Sequence, residues 1–532
     1  YDMHSVDENN AGLLKFDFLG IKNLTILKTA LNIVKKRYGI NINIEEINLE
    51  DKKTFELLSL GETMGLFQLN GTGMTKFLKD LMPTSIYDIN AMIALYRPGP
   101  IENIPIYIER KKNNNLVSYL YDDKNLKEIL EKTFGVLVYQ DDLLLMSIKI
   151  AGYSWGEADK FRKAVGKKIP EEMQKQKEKF INGCINHSKW PQKKAEELWK
   201  WIEPFASYGF NKAHSASYGR VAYQTAYMKA NYPVAFMTAI LIEESGDNEK
   251  ISDIISESRR MGIEILPPNI NNSFSDFTIV EDKNSKFNEA IRFGIYTIKN
   301  LGKNIAEVII KEREEFGEYK DLENFINRIN HKDLNKKSLE ALIMSGAMDD
   351  FGERAEMLFN LEDILEFNKK QSKENTVQNN IFNLFEDENK LKFKLKKCPP
   401  AKKEEKLLWE KTLLGCYVSG SPLDKWKDKL LNRHINIKNI LNEENNDVKE
   451  NNIVNLPVLI EKIKTTKTKN GDFMALIKVS DLSGSFEIAL FPKKFQVLKE
   501  KLIKETPLII NGKIANKNGE KTMILEDINI LK

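Results

Sequence analysis

From Asn452 to Lys532 the hydrophobic pattern changes its period. At least four strand-like runs follow one another there, separated by turn signals at Asn470-Gly471, Ser483-Gly484 and Asn518-Gly519. Upstream, apolar residues recur at helical spacing instead, as in Leu24, Leu27, Leu31 and Val34. The chain has 532 residues, and since one core stops growing at about 250–300 residues, roughly three to five units are expected. The terminal unit reads as a small five-stranded barrel.

Charge does not announce a partner, because 81 Lys and Arg face 77 Asp and Glu, a net of +4; any basic surface must be local. Cys184, Cys398 and Cys416 are widely spaced and form no CxxC pair, which points to a reducing compartment without a disulfide framework or structural zinc. No apolar run approaches the roughly twenty residues of a membrane helix. A cytoplasmic location without membrane partners is expected. The chain opens on Tyr1, and the reading is that it begins inside a domain.

Near that start, AGLLKFDFLG places Lys15 and Asp17 on one face of a strand. A carboxylate in an apolar run needs a cation, a metal or several donors. A salt-bridged edge-strand Asp satisfies this as well as a metal and phosphate site does. Asn23 offers an N-cap for the following helix and Gly39 its end. Arg97-Pro98-Gly99-Pro100 must terminate a helix. A short strand at Gly135–Gln140 and two helices come next. In the second helix Lys160, Lys163 and Lys167 form a basic stripe with Arg162 alongside, a pattern that serves equally as a solvated face.

In FASYGFNKAHSASYGRVAYQTAYMKANYP, Ser215 reads as the N-cap of a helix to about Asn231. Gly209, Asn211, Lys212 and His214 then lie on the loop feeding that N-terminus, where free amides, a lysine and a histidine suit an anion such as phosphate. Tyr218, Tyr223 and Tyr227 either stack on bases or pack in a core. IRFGIYTIKNLGKNIAEVIIKERE resembles a helix-hairpin-helix, with Gly302 in the turn beside Lys303, and Asn300 at a position that needs positive φ. LNKKSLEALIMSGAMDDFG is a more degenerate second pair. Between Lys369 and Lys403 the chain is polar and reads as a tether. Within it, Gln378, Ile381 and Phe382 have no core to join and suit a partner's groove. The terminal barrel fits the oligonucleotide-binding (OB) type. Its lysines Lys462, Lys464, Lys467 and Lys469 suit a single strand, or solvent.

Taken in order, KFDFLG, LYRPGP, the Gly135–Gln140 run, AGYS, FRKAVGKK, GFNKAHS and YQTAYMKANYP resemble the C-family of bacterial replicative DNA polymerases, over nearly the whole chain. The resemblance implies a multidomain α+β fold. Residues 1–49 would be the C-terminal part of the palm and 50–268 mostly helical fingers. Residues 269–367 would be a clamp-binding domain with helix-hairpin-helix elements, 368–451 a linker with a clamp-binding peptide, and 452–532 an OB barrel.

It implies template-directed transfer of deoxynucleotides to a primer 3′-hydroxyl, with Asp17 as a catalytic metal ligand for two magnesium ions. Lys15, Arg162, Lys163, Asn211, Lys212 and His214 would hold the triphosphate. Gly302, Lys303, Lys467 and Lys469 would hold DNA, and Gln378, Ile381 and Phe382 the sliding clamp. Primer–template DNA, deoxynucleoside triphosphates, the clamp, and clamp-loader and proofreading subunits are the implied partners. The family's other two carboxylates have no counterpart in this sequence, so the chain alone is expected to be inactive. The alternative is a non-catalytic DNA-binding and clamp-tethering fragment of a split polymerase subunit.

Overall fold

A computed structural model describes residues 20–167, 170–205, 209–283, 285–377, 394–431, 433–441, 448–468, 470–504, 506–517 and 520–531. Lys15, Asp17, Gln378, Ile381, Phe382 and Lys469 lie outside the described residues. The chain forms two compact units, Tyr1–Glu243 and Glu244–Lys532. Among the described residues no helix is long and apolar enough to cross a membrane.

The first unit is helical. It contains α1 (Lys22–Tyr38), α2 (Lys52–Ser59), α3 (Thr72–Leu81), α4 (Ile86–Leu95), α5 (Ile104–Lys112) and α6 (Lys124–Leu130). These are followed by α7 (Gln140–Lys149), α8 (Trp155–Lys167), α9 (Pro170–Asn186), α10 (Gln192–Phe205), α11 (Lys212–Asn231) and α12 (Pro233–Glu243). Helix α1 ends at Gly39 in the left-handed region, φ 71°, as its sequence indicates. Its start differs: Ile21 flanks it, and Asn23 sits inside the first turn. Helix α4 stops at Leu95 before Arg97-Pro98-Gly99-Pro100, and Pro100 opens a 3₁₀ turn leading into α5.

Two cores organise this unit. Helix α11 packs against α1, α2, α4 and α12, with Ala222, Tyr223, Ala226 and Met228 buried. Tyr223 is a core residue: its hydroxyl donates to Asn48 O at 2.7 Å and accepts from Asp51 N at 3.1 Å. Base stacking by Tyr223 is therefore corrected to packing. Gly219 lets α11 approach α4 so closely that a Cβ there would lie 1.8 Å from Asn90 Oδ1. The second core joins α6 to α10 around Tyr153, Phe161, Phe180 and Trp199. The strand expected at Gly135–Gln140 is reduced to one parallel bridge, Tyr139 to Phe210.

The second unit begins with α13 (Asn248–Arg260) and a three-stranded sheet in the order β1-β3-β2, formed by β1 (Glu264–Leu266), β2 (Thr278–Glu281) and β3 (Glu289–Arg292). Helices α14 (Lys303–Phe316), α15 (Leu322–Arg328), α16 (Lys336–Met344), α17 (Arg354–Phe359) and α18 (Leu361–Val377) follow. Asn300 adopts φ 71°, as expected. The element before it is a 3₁₀ turn, Ile295–Thr297, rather than a full helix.

Helix α19 (Lys403–Leu414) falls within the stretch read as a linker, yet it is anchored by buried charge. Glu410 is fully buried; its Oε1 accepts from Arg354 Nη2 at 3.1 Å, and its Oε2 accepts from Val418 N and Ser419 N at 3.1 and 2.9 Å. Asp349 accepts from the Nε and Nη2 edge of the same guanidinium, at 2.7 Å from each nitrogen. Two short helices, α20 (Lys427–Leu431) and α21 (Ile437–Leu441), lead into the barrel.

The barrel comprises β4 (Ile453–Lys467), β5 (Phe473–Ser480), β6 (Ser485–Leu490), α22 (Pro492–Leu498), β7 (Leu508–Lys517) and β8 (Glu520–Ile530). It closes in the order β4-β5-β6-β8-β7, with β7 returning to β4. Every pair is antiparallel except the short parallel seam of β6 and β8. Five strands in this order, with a helix between the third and fourth, make an OB-type barrel. Val454, Leu456, Val458 and Ile460 enter its core from alternate positions of β4. A bulge between Ile460 and Lys462 then shifts the register, so that Ile463 faces inward while Lys462 and Lys464 are exposed.

Candidate nucleotide-binding site

The helix expected to be capped by Ser215 is capped four residues earlier and starts at Lys212. Asn211 is its N-cap, accepting from His214 N at 2.8 Å. Ser215 is fully buried and donates instead to Asn90 O at 2.6 Å, tying α11 to α4. Lys212 and His214 thus sit on the first turn of α11 and not on a loop before it. Their side chains remain exposed.

Arg162 on α8 reaches the same place. Its Nη1 donates to Gln140 Oε1 at 3.4 Å, and Gln140 N donates to Phe210 O at 2.9 Å, immediately before the α11 cap. Arg162, Asn211, Lys212 and His214 therefore converge, with Lys163 next to Arg162. Aromatic faces line the approach: the Arg97 guanidinium lies 4.1 Å over Phe210, and His214 stands 5.4 Å from Phe210 and 4.1 Å from Tyr218. Burial lowers the Arg97 pKa from its ordinary value.

Arg162, Lys163 and Lys212 each already have a carboxylate. Asp159 Oδ1 accepts from Arg162 Nη2 at 2.8 Å, and Asp159 Oδ2 pairs with Lys163 Nζ at 2.9 Å; these hydrogen bonds hold the Asp159 carboxyl below its ordinary range. Lys212 Nζ lies 3.5 Å from Asp142 Oδ1, and Lys212 N donates to Asp141 Oδ2 at 3.0 Å. Asp142 is 1% exposed and also accepts from Tyr139 N at 3.1 Å, in the capping box of α7. Burial pushes its carboxyl up to about 6, against the pull of the Lys212 ammonium. Sequence reading missed Gln140, Asp141, Asp142 and Asp159. The available signals were the acidic pair opening α7 and the i, i+3 and i, i+4 spacing of Asp159 to Arg162 and Lys163.

The remaining expected site residues among the described ones belong to the second unit. Gly302 flanks the start of α14, with open space where a Cβ would stand, and Lys303 is exposed, its Nζ 6.0 Å from the Tyr296 ring. Lys467 ends β4 with its Nζ 5.1 Å from the ring of Phe473, itself exposed. Lys462 is ion-paired to Glu249 of α13. Among the described residues no group of three or more His, Cys, Asp or Glu is placed to hold a metal ion.

With this geometry in view, comparison with known proteins identifies the parts. Residues 23–188 match the family model of the bacterial DNA polymerase III alpha subunit finger domain, and residues 262–357 match that of the helix-hairpin-helix motif. The first unit thus contains a polymerase finger domain, and the second a helix-hairpin-helix motif followed by an OB-type barrel. The chain is 38% identical to DNA polymerase III subunit alpha of Thermus aquaticus over 99% of its length and 42% of that relative. It is 40% identical to the Aquifex aeolicus subunit, over 96% of this chain and 41% of that relative. The Bacillus subtilis subunit is 37% identical over 98% of this chain and 45% of that relative. The chain belongs to the family of bacterial DNA polymerase III alpha subunits and corresponds to their C-terminal portion; it spans less than half the length of these curated relatives.

Proposed function

We propose that the chain supplies the nucleotide-gripping and DNA-holding part of a template-directed DNA polymerase, which transfers deoxynucleotides to a primer 3′-hydroxyl. The supporting observation is the convergence of Arg162 with Asn211, Lys212 and His214 through Gln140. A guanidinium, an ammonium, an imidazole and a helix N-terminus are donors suited to a polyphosphate. Phosphoryl transfer depends on such positioning and charge neutralisation.

On this reading Lys15 also contacts the triphosphate, Lys163 joins Arg162, and Asp17 is one of the carboxylates for two magnesium ions. Gly302, Lys303, Lys467 and Lys469 hold primer–template DNA, and Gln378, Ile381 and Phe382 dock on a sliding clamp in the cytoplasm. Hard cations of this kind take several oxygen ligands each, so one carboxylate does not complete the site and the chain alone does not extend a primer.

Primer extension tests this, with the chain mixed with a folded fragment carrying the missing Asp pair. Synthesis is expected, with loss on Asp17→Ala. A folded mixture without synthesis, or synthesis that ignores Asp17→Ala, overturns the proposal. DNA and clamp binding without synthesis would mark a tether instead.

A further inference from the structure

We infer that Asp141 is a built-in competitor for the triphosphate: it occupies the first turn of α11 until a polyphosphate displaces it, and so raises the affinity a ligand needs to hold the site, which keeps weakly bound small anions out. This inference rests on the nucleotide-grip reading above. Asp141 Oδ2 accepts from Lys212 N, the first amide of α11, at 3.0 Å. A phosphate oxygen arriving at that N-terminus would need the same donor.

The neighbouring cations are engaged in the same way, Lys212 with Asp142, and Arg162 and Lys163 with Asp159. Three cationic side chains therefore face three carboxylates, and of the charge that would draw in an anion little more than that of Arg97, over Phe210, is left uncompensated by these three. Binding becomes an exchange of partners. A ligand with one or two phosphates gains little by exchanging a carboxylate for itself. A triphosphate that also offers a sugar and a base gains contacts the carboxylates cannot supply.

The geometry makes Asp141 the carboxylate most able to leave. It lies in the first turn of α7, whose own N-terminus favours an acidic residue, so release from α11 does not strand a charge. It is only half-buried, and water can take up its second oxygen. Asp142, in contrast, is held in the capping box and is almost fully buried. Asp141 moves while Asp142 stays to position Lys212.

Calorimetric titration of the full chain with inorganic pyrophosphate and with tripolyphosphate tests this, using wild type, Asp141→Asn and Lys212→Ala. Asp141→Asn is expected to tighten pyrophosphate binding roughly twofold to fivefold, the range for one charged partner at a helix terminus. Its effect on tripolyphosphate should be of the same size, since either ligand displaces the same carboxylate, and Lys212→Ala should weaken both. Asp141→Ser, which keeps a small polar residue in the first turn, repeats the test should the Asn variant not fold. Unchanged or weaker pyrophosphate binding in the Asp141 variants, alongside weakening in Lys212→Ala, overturns the competitor role and leaves the grip standing. Binding that responds to neither residue removes the grip itself.

Discussion

Replacing Asp142 by Asn should change how stability depends on pH, and the structure sets both sign and size. Asp142 is 1% exposed, and burial raises its carboxyl from 3.8 to about 6. Below 3.8 the group is protonated in folded and unfolded chains alike and contributes no difference. As pH rises toward 6 the unfolded chain ionises first, so the folded state holds more protons and loses stability. Above about 6 the whole difference is present. At about 1.4 kcal/mol for each tenfold in proton affinity, it amounts to about 3 kcal/mol. The attraction of Lys212 is already contained in that figure, since it is one of the causes acting on the same carboxyl. Asn keeps the size and an oxygen for Tyr139 N but cannot ionise. The stability of Asp142→Asn relative to wild type should therefore rise by about 3 kcal/mol between pH 4 and pH 7. Urea unfolding at a series of pH values, followed by tryptophan fluorescence, measures it, because Trp199 lies in the adjoining core. A difference that stays flat across this range would refute the reasoning.

In the second unit, Glu410→Ala removes one partner of a buried pair and strips Val418 N and Ser419 N of their acceptor. A loss of about 3 kcal/mol is expected, the low end of the usual range because Asp349 still holds Arg354; chemical denaturation reads it, and a double change to Arg354→Met and Glu410→Leu should recover most of it. In the first unit, Gly219→Ala should cost about 1–3 kcal/mol, since the new Cβ meets Asn90 Oδ1. Adding Asn90→Ala should restore the thermal midpoint, and a Gly219→Ala variant as stable as wild type would show that α4 and α11 are not in close contact.

What could be read from the residues was mostly local. The hairpin turn at Asn470-Gly471 is present, with Gly471 at φ 88°, because a two-stranded turn is encoded by its own few residues. Pro98 and Pro100 ended α4 for equally local reasons. The start of α11 was misread because Ser215 and Asn211 are both good caps; the carbonyl of Asn90, 125 residues away, claims the serine hydroxyl and leaves the end to Asn211. Tyr223 reads as aromatic and helical either way, and only the packing of α2 and the carbonyl of Asn48 decide that it is interior. The carboxylates facing the grip were missed for a related reason. Asp141 and Lys212 are 71 residues apart, and no periodicity links them. The parallel seam between β6 and β8 is likewise non-local.

The bulge in β4 bears on how this chain can change over time. Before it, every second residue from Val454 to Ile460 points into the barrel; after it, the inward place passes to Ile463, and Lys462 and Lys464 meet water. The strand is thus written in two reading frames joined at Glu461. A substitution on either side alters one side chain. Removing the single residue at the junction, Glu461, would merge the frames into one unbroken alternation, with Ile463 still facing inward and Lys462 and Lys464 still facing water. The strand can therefore lose one residue at the bulge and keep its faces, whereas the same loss between Val454 and Val458 would turn over every side chain on one side of it.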